Sequence, residues 1–173
     1  MITDKTNNRL NEIESLLLHV DGGCEPKNPG GVATAGWVLY EFHEPNNPIA
    51  EQFAVVSQGG NLSTNNYGEY SSLELALDFL IKNNWKGDLT IRADSKLLVE
   101  QVRGSWKCKA EHLKIKRDLI RVQLNKLGLQ IITKDNPIAD EGRKSCFLEW
   151  IPREINEYAN DLCRKAYQHH LTS

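Results

Sequence analysis

At 173 residues, with 40% hydrophobic and 25% charged residues, the chain can bury an ordinary core as one domain, and its net charge of −2 excludes a protein coated in cations. No run approaches the roughly 18 apolar residues of a membrane span, and the polar, mixed-charge stretch from Met1 to Ser15 does not read as a signal peptide. Cys24, Cys108, Cys146 and Cys163 stand far apart with no CxxC pair, which favours reduced thiols in a cytoplasmic protein over disulfides or a thiolate metal site.

In chain order, residues 1–15 form a polar N-terminal extension and residues 16–173 a single domain. Leu16 to Asp21 is an apolar run of strand type, followed by a turn region rich in Gly and Pro from Gly22 to Gly31. Ala35 to Phe42 and Glu51 to Ser57 are further strands, joined by the turn Pro45-Asn46-Asn47-Pro48. Asn65 to Lys82 is an amphipathic helix that stops near Asn83 and Asn84. Asp88 to Asp94 is a strand, Ser95 to Val102 a short helix stopped by Gly104, and Ala110 to Lys126 a longer helix ended by Gly128. Leu129 to Thr133 is a short strand-like run, with a polar loop up to Ser145. Cys146 to Ile151 is a strand stopped by Pro152, and Asn156 to His169 is the closing helix. Three β runs followed by alternating helix and strand predict an α/β fold with a mixed sheet.

Charge is unevenly spread. From Arg103 to Lys126, eight cations stand against Glu111 and Asp118, a local +6 that leaves −8 for the rest of the chain. Such a run is most often a solvated helix face, and becomes a phosphate track only beside a site that needs one.

Three acids have settings that call for more than solubility. Asp21 and Asp94 end apolar strand runs, whereas Glu69 shares a helix stripe with Leu73, Ala76 and Leu80 at spacings of four, seven and eleven. A first-turn glutamate favoured by the helix dipole would explain an exposed Glu, but not one facing the core. Asp94 and Ser95 could simply cap the next helix. Carboxylates at strand ends and helix starts can converge, and converging carboxylates repel unless a divalent cation neutralises them.

Four motifs in order carry a family resemblance. They are Asp21-Gly22-Gly23-Cys24 with Asn28-Pro29-Gly30, then Thr64-Asn65-Asn66-x-x-Glu69. Ala93-Asp94-Ser95-x-Leu97-x-Val99-x-Gln101-Val102-x-Gly104 follows, and last Pro152-Arg153-Glu154-x-Asn156-x-x-Ala159. From about Leu16 to Tyr167 the chain resembles the ribonucleases H of type 1, in their short form without a basic protrusion. The resemblance implies a ribonuclease H-like five-stranded mixed sheet with helices on both faces. In it the first three strands are antiparallel, and the strand ending at Asp94 is parallel to the one ending at Asp21. It further implies cleavage of the RNA strand of an RNA–DNA hybrid with two Mg²⁺ ions, which Mn²⁺ can replace, held by Asp21, Glu69, Asp94 and a fourth ligand. Gly22, Gly23, Cys24, Asn28, Asn65, Asn66 and Gln101 would contact 2′-hydroxyls and bases, and Thr64 a DNA phosphate. Lys107, Lys109 and Arg153 complete the expected substrate contacts of a monomer needing no obligate protein partner.

Two departures stand out. The family's fourth carboxylate falls four residues after Asn156, where this chain has Asn160; Asp161 follows it. At roughly 100° per residue, Ile155, Ala159, Leu162, Cys163, Ala166 and Tyr167 form the buried helix face, with Asn160 at its edge and Asp161 nearly opposite beside Glu157, Arg164 and Lys165. Asn160 is therefore the expected fourth ligand, bringing a carbonyl but no charge. The second departure is the absence of the histidine that long forms carry between positions 151 and 160, for which Arg153 is the replacement.

Overall fold

The structure, a computed structural model, describes residues 9–173, so residues 1–8 of the predicted N-terminal extension lie outside the described residues. Six strands form one sheet: β1 (Ser15–Glu25), β2 (Val32–Glu41), β3 (Pro48–Gln58), β4 (Asp88–Ala93), β5 (Leu129–Ile132) and β6 (Lys144–Trp150), in the order β3-β2-β1-β4-β6-β5. The first three are antiparallel, while β4 runs parallel to β1, β6 to β4 and β5 to β6. Among the described residues, the helices α1 (Asn65–Lys82), α2 (Lys96–Arg103), α3 (Glu111–Lys126) and α4 (Glu157–Thr172) cover both faces. The sheet thus has one strand more than the five predicted. Four residues are too few for alternation to distinguish β5 from loop, and it is the parallel partner β6 that makes the run a strand.

Alternation along β1 sorts the core into two layers. Leu16, Leu18 and Val20 join the main cluster with Leu73, Leu77 and Leu80 of α1, Leu98 and Val102 of α2, and Ile120 and Leu124 of α3. Leu17 points the other way, into a smaller cluster with Val38, Tyr40 and Leu162 of α4. Leu10 and Ile13, ahead of β1, are also buried in the main cluster.

β1 does not end at Asp21, as the glycines after it predict. It continues to Glu25, pairing Gly22 with Ala35, Gly23 with Thr34 and Cys24 with Ala33. The glycines serve close packing inside a strand rather than a turn. A Cβ on Gly22 would stand 2.1 Å from the Glu69 nitrogen and 2.3 Å from the Gly68 carbonyl carbon. On β2, a Cβ on Gly36 would stand 2.8 Å from both the Ala159 carbonyl oxygen and the Leu162 Cβ. Gly36 is the register partner of Asp21, so two helices approach the same point of the sheet.

At the chain's end the predicted buried face is corrected at one position. Ala159, Leu162, Cys163 and Ala166 are buried, but Ile155 is 59% exposed. Ile155 lies in a 3-10 turn (Arg153–Ile155) before α4, where the 100° phase does not apply, and Asn156 is the residue buried in its place.

Gly36→Ala should lower stability by about 1–3 kcal/mol, because backbone and a packed leucine fill the space. Denaturant melts would read this, and an unchanged midpoint would mean that α4 does not press on β2 at this point.

Candidate active site

The parallel register of β1 and β4 pairs Val20 with Ala93, which sets the next residues of each chain, Asp21 and Asp94, side by side. Glu69 comes from α1, whose N-cap is Thr64, its side chain accepting from the Tyr67 N–H at 3.0 Å. With the helix starting at Asn65, Glu69 stands in the second turn, inward with Leu73, Ala76 and Leu80. The three carboxylates offer oxygens that all lie within 4.8 Å of one another. Asp21 and Glu69 are buried, and Asp94 is half-buried.

The electrostatics of this cluster are unresolved by protein groups alone. Burial first, and then the charge of Asp21, hold Glu69 well above the usual carboxylate range, against a pull downward from the Gly22 backbone N–H. Asp94 is pushed up to about 6 by burial and by Asp21, partly offset by the Asn156 amide and the Arg153 guanidinium. One oxygen of Glu69, Oε2, is buried without a hydrogen-bond partner. An all-oxygen donor set, mutual repulsion and an unsatisfied carboxylate oxygen together fit a hard divalent cation of the Mg²⁺ kind.

Asn160 reaches the same cluster. Its Nδ2 donates to Asp21 Oδ2 at 2.9 Å. Asp161 turns outward and pairs with Arg164 at 3.0 Å, both side chains more than half exposed. Behind the carboxylates, the buried Asn156 donates from Nδ2 to the Val20 carbonyl at 2.9 Å. His19, lowered to about 4 by burial and by Arg92, is a neutral packing group against Tyr40.

Of the expected substrate contacts, the structure gathers one group on the hairpin between β1 and β2. Asn28 and Asn65 face each other, Asn28 Nδ2 donating to Asn65 Oδ1 at 2.7 Å and the Asn65 N–H returning to Asn28 Oδ1 at 3.3 Å. Cys24 Sγ donates to the Lys27 and Ser63 carbonyls, and Ser63 Oγ to the Gly31 carbonyl, lacing the hairpin to the loop before α1. Thr64 and Asn66 belong to that laced segment, and Gly23 lies beside Thr34 and Cys163. Arg153 lines a cleft of about 190 Å³ with Gly22, Gly23, Asn160 and Arg164. Lys107 and Lys109 are exposed on the loop between α2 and α3.

Gln101, expected as a substrate contact, is buried, with Oε1 accepting from the Tyr70 hydroxyl at 2.7 Å and Nε2 donating to the Lys107 carbonyl at 3.1 Å, so both ends are engaged within the protein. Gly22, too, owes its missing side chain to helix α1. Two exposed aromatics escaped the sequence-based assignment. Trp150 donates from its indole N–H to the Asp94 carbonyl at 3.1 Å, with Lys96 over its ring, and Trp106 stands beside Lys107. An aromatic directly ahead of two lysines, as in Trp106-Lys107-Cys108-Lys109, was the available signal.

No protein-family model matches the chain. Over 151 residues it is 28% identical to a bifunctional protein of Mycobacterium tuberculosis, covering 87% of this chain and 35% of that protein. Over 147 residues it is 29% identical to ribonuclease HI of Halobacterium salinarum, covering 83% of this chain and 60% of that one. The chain therefore spans about a third and three-fifths of the length of these curated relatives. In structure, the N-terminal RNase H domain of the M. tuberculosis protein matches with a TM-score of 0.72 at 26% identity, over 92% of this chain and 97% of that one. LC11-RNase H1, solved in complex with an RNA/DNA hybrid, matches with a TM-score of 0.71 at 26% identity, over 90% of this chain and 99% of that one.

The raised carboxylates have a pH signature. Their folded values lie above the unfolded ones, so their contribution to stability is full below about pH 4 and is lost as pH rises, through about 6 for Asp94, with Glu69 shifted in the same direction. In chelator, the melting temperature should fall across that window relative to Asp21→Asn, which removes the charge acting on both. Equal pH slopes for the two proteins would show that Asp21 does not load the cluster.

Proposed function

We propose that this chain, a ribonuclease H of type 1 in its motifs and its fold, is an endonuclease that hydrolyses the RNA strand of RNA–DNA hybrids with two bound Mg²⁺ or Mn²⁺ ions. The observation that carries the reading is the convergence of Asp21, Glu69 and Asp94 within 4.8 Å, with the Asn160 amide on Asp21. Asp21, central to the group, would be shared between the ions. Glu69 and Asp94 would complete the leaving-group side and Asn160 the water side. What a pair of such ions supplies is an activated water and neutralised charge at the departing 3′ oxygen. The protein's part is to hold the oxygens at fixed spacing, so that no reorganisation is needed as charge develops.

The paired Asn28 and Asn65, with Asn66, Thr64 and the backbone of Gly22 to Cys24, would meet the sugar edges and phosphates of the hybrid's minor groove. Arg153, close enough to pull Asp94 down, would hold a phosphate beside the cut. Lys107 and Lys109 would bind backbone farther along. Among the described residues no helix is long and apolar enough to cross a membrane, and the four cysteines are free thiols.

A labelled RNA–DNA hybrid with blocked ends, incubated with Mg²⁺ or Mn²⁺ beside duplex DNA and duplex RNA, tests the activity. Internal cuts in the RNA of the hybrid alone are expected. Salt-sensitive hybrid binding with no metal-dependent cut would instead favour a non-catalytic binding module, a reading to which the uncharged Asn160 lends weight.

Asp21→Asn should abolish cleavage and largely preserve hybrid binding, since it removes a shared ligand and no phosphate contact. Near-parental cutting would end the two-ion reading. Charge reversal at Lys107 and Lys109 should do the converse, weakening binding and flattening its dependence on salt.

Asn160→Asp should raise cleavage and lower the metal concentration it needs, because a restored charge strengthens cation binding where one is missing. Asp161→Ala should change little. The opposite pattern would transfer the ligand role to Asp161.

A further inference from the structure

The loop between α2 and α3 carries Trp106, Lys107 and Lys109 exposed, yet its backbone is tied at Gly104, Trp106 and Lys107. Gly104, at φ +95°, ends α2 with its N–H on the Glu100 and Gln101 carbonyls. The Trp106 N–H returns to the Glu100 carbonyl at 3.2 Å, and Cys108 is buried in the main core. Arg121 of α3 reaches the Gln101 and Val102 carbonyls at 3.4 and 3.3 Å, closing α2's last turn from outside.

At the centre lies a buried chain of two side-chain hydrogen bonds. The Tyr70 hydroxyl donates to Gln101 Oε1 at 2.7 Å, and Gln101 Nε2 donates to the Lys107 carbonyl at 3.1 Å. An uncharged amide suits this place, accepting from a phenol at one end and donating to a carbonyl at the other. Tyr70 is the residue after Glu69 and is fully buried. The helix turn that supplies a carboxylate to the cluster is thus joined, through one glutamine, to the loop that presents two lysines and a tryptophan.

We infer that Gln101 and Tyr70 are positioning residues: a buried brace that fixes the reach between the Asp21–Glu69–Asp94 cluster and the Trp106–Lys109 loop, and so the register in which a hybrid lies across both. The inference rests on the proposed hybrid-cleaving function. A mobile loop could bring the same charges to the backbone, but it would pay ordering entropy on binding and grip at variable distance from the cut. The brace removes both costs, and neither residue needs to touch the substrate.

Gln101→Glu tests this with little change of volume. The carboxylate still accepts from Tyr70 but sets an oxygen against the Lys107 carbonyl, releasing the loop. Gln101→Met combined with Tyr70→Phe removes both bonds and leaves no lone side-chain polar group, only the part-buried Lys107 carbonyl without its donor, and guards against a variant that merely misfolds. Both should weaken hybrid binding, read as Kd in chelator, by roughly three- to tenfold. In Mg²⁺, KM should rise by a similar factor with kcat held within about twofold. Cuts on a hybrid of fixed sequence should spread over neighbouring positions, and exchange of the amide protons of residues 105–109 should speed up. Parental Kd and amide exchange in folded variants would overturn the brace. Because Kd is read without catalysis, that outcome is distinct from a parent chain that binds hybrid but never cuts it, which would overturn the function instead.

Discussion

Everything in the site depends on how closely two helices can approach one strand. Gly22 admits the backbone of α1 on one face of the sheet, and Gly36, the register partner of Asp21, admits α4 on the other. A methyl group at either position would meet backbone at 2.8 Å or less. With both missing, Glu69 arrives from one helix and Asn160 from the other, while the parallel pairing of β1 with β4 supplies Asp94 laterally. Four polar groups from four elements meet because two side chains are absent. The hydrophobic layers on either side of β1 supply the stability that makes such crowding tolerable.

What the frame holds together is electrostatically unfavourable by itself. Burial and mutual repulsion raise Glu69 and Asp94, the direction that a bound cation would oppose. Asn160 changes this balance. A fourth carboxylate would add repulsion without a cation and attraction with one. The amide instead donates to Asp21 and steadies it in the cation-free state. Its position therefore trades affinity for a cation against stability without one, a trade that follows from charge alone.

How much of this was legible in the sequence depended on whether local chain chemistry or distant packing decided each point. Asp21 and Asp94 were legible because apolar runs lead to them, and Glu69 because its stripe faces the core. Asn160 was separable from Asp161 by helical phase, which holds inside α4 and fails at Ile155, one turn too early. The continuation of β1 through Gly22 and Gly23 was not legible, since glycine in sequence signals a turn unless a helix is known to press on it. Gln101 read as a substrate contact for the same reason: a polar residue near a site looks available until its partners, Tyr70 thirty-one positions away and the Lys107 carbonyl, are placed.

The basic segment shows most clearly why local charge is not free charge. Arg103 is taken up by Glu100 and the Leu148 carbonyl, Lys116 by Glu74 and the face of Tyr67, Arg117 by Asp118, and Arg121 by the end of α2. Arg103, Lys116 and Arg121 tie α2 and α3 to their neighbours, whereas Arg117 pairs only with the next residue of its own helix. Lys107, Lys109 and Lys114 are left exposed around the start of α3, with Lys126 at its far end, roughly 18 Å from Lys114 at 1.5 Å per residue. Counterion release scales with the phosphates actually neutralised, at about 0.9 per contact on a duplex. Three lysines correspond to a salt slope near −3 from this patch, where the eight cations in sequence would suggest about −7. On the proposed hybrid, a slope of that smaller size would mark a grip from a few charges held at fixed positions rather than from a general excess of cations.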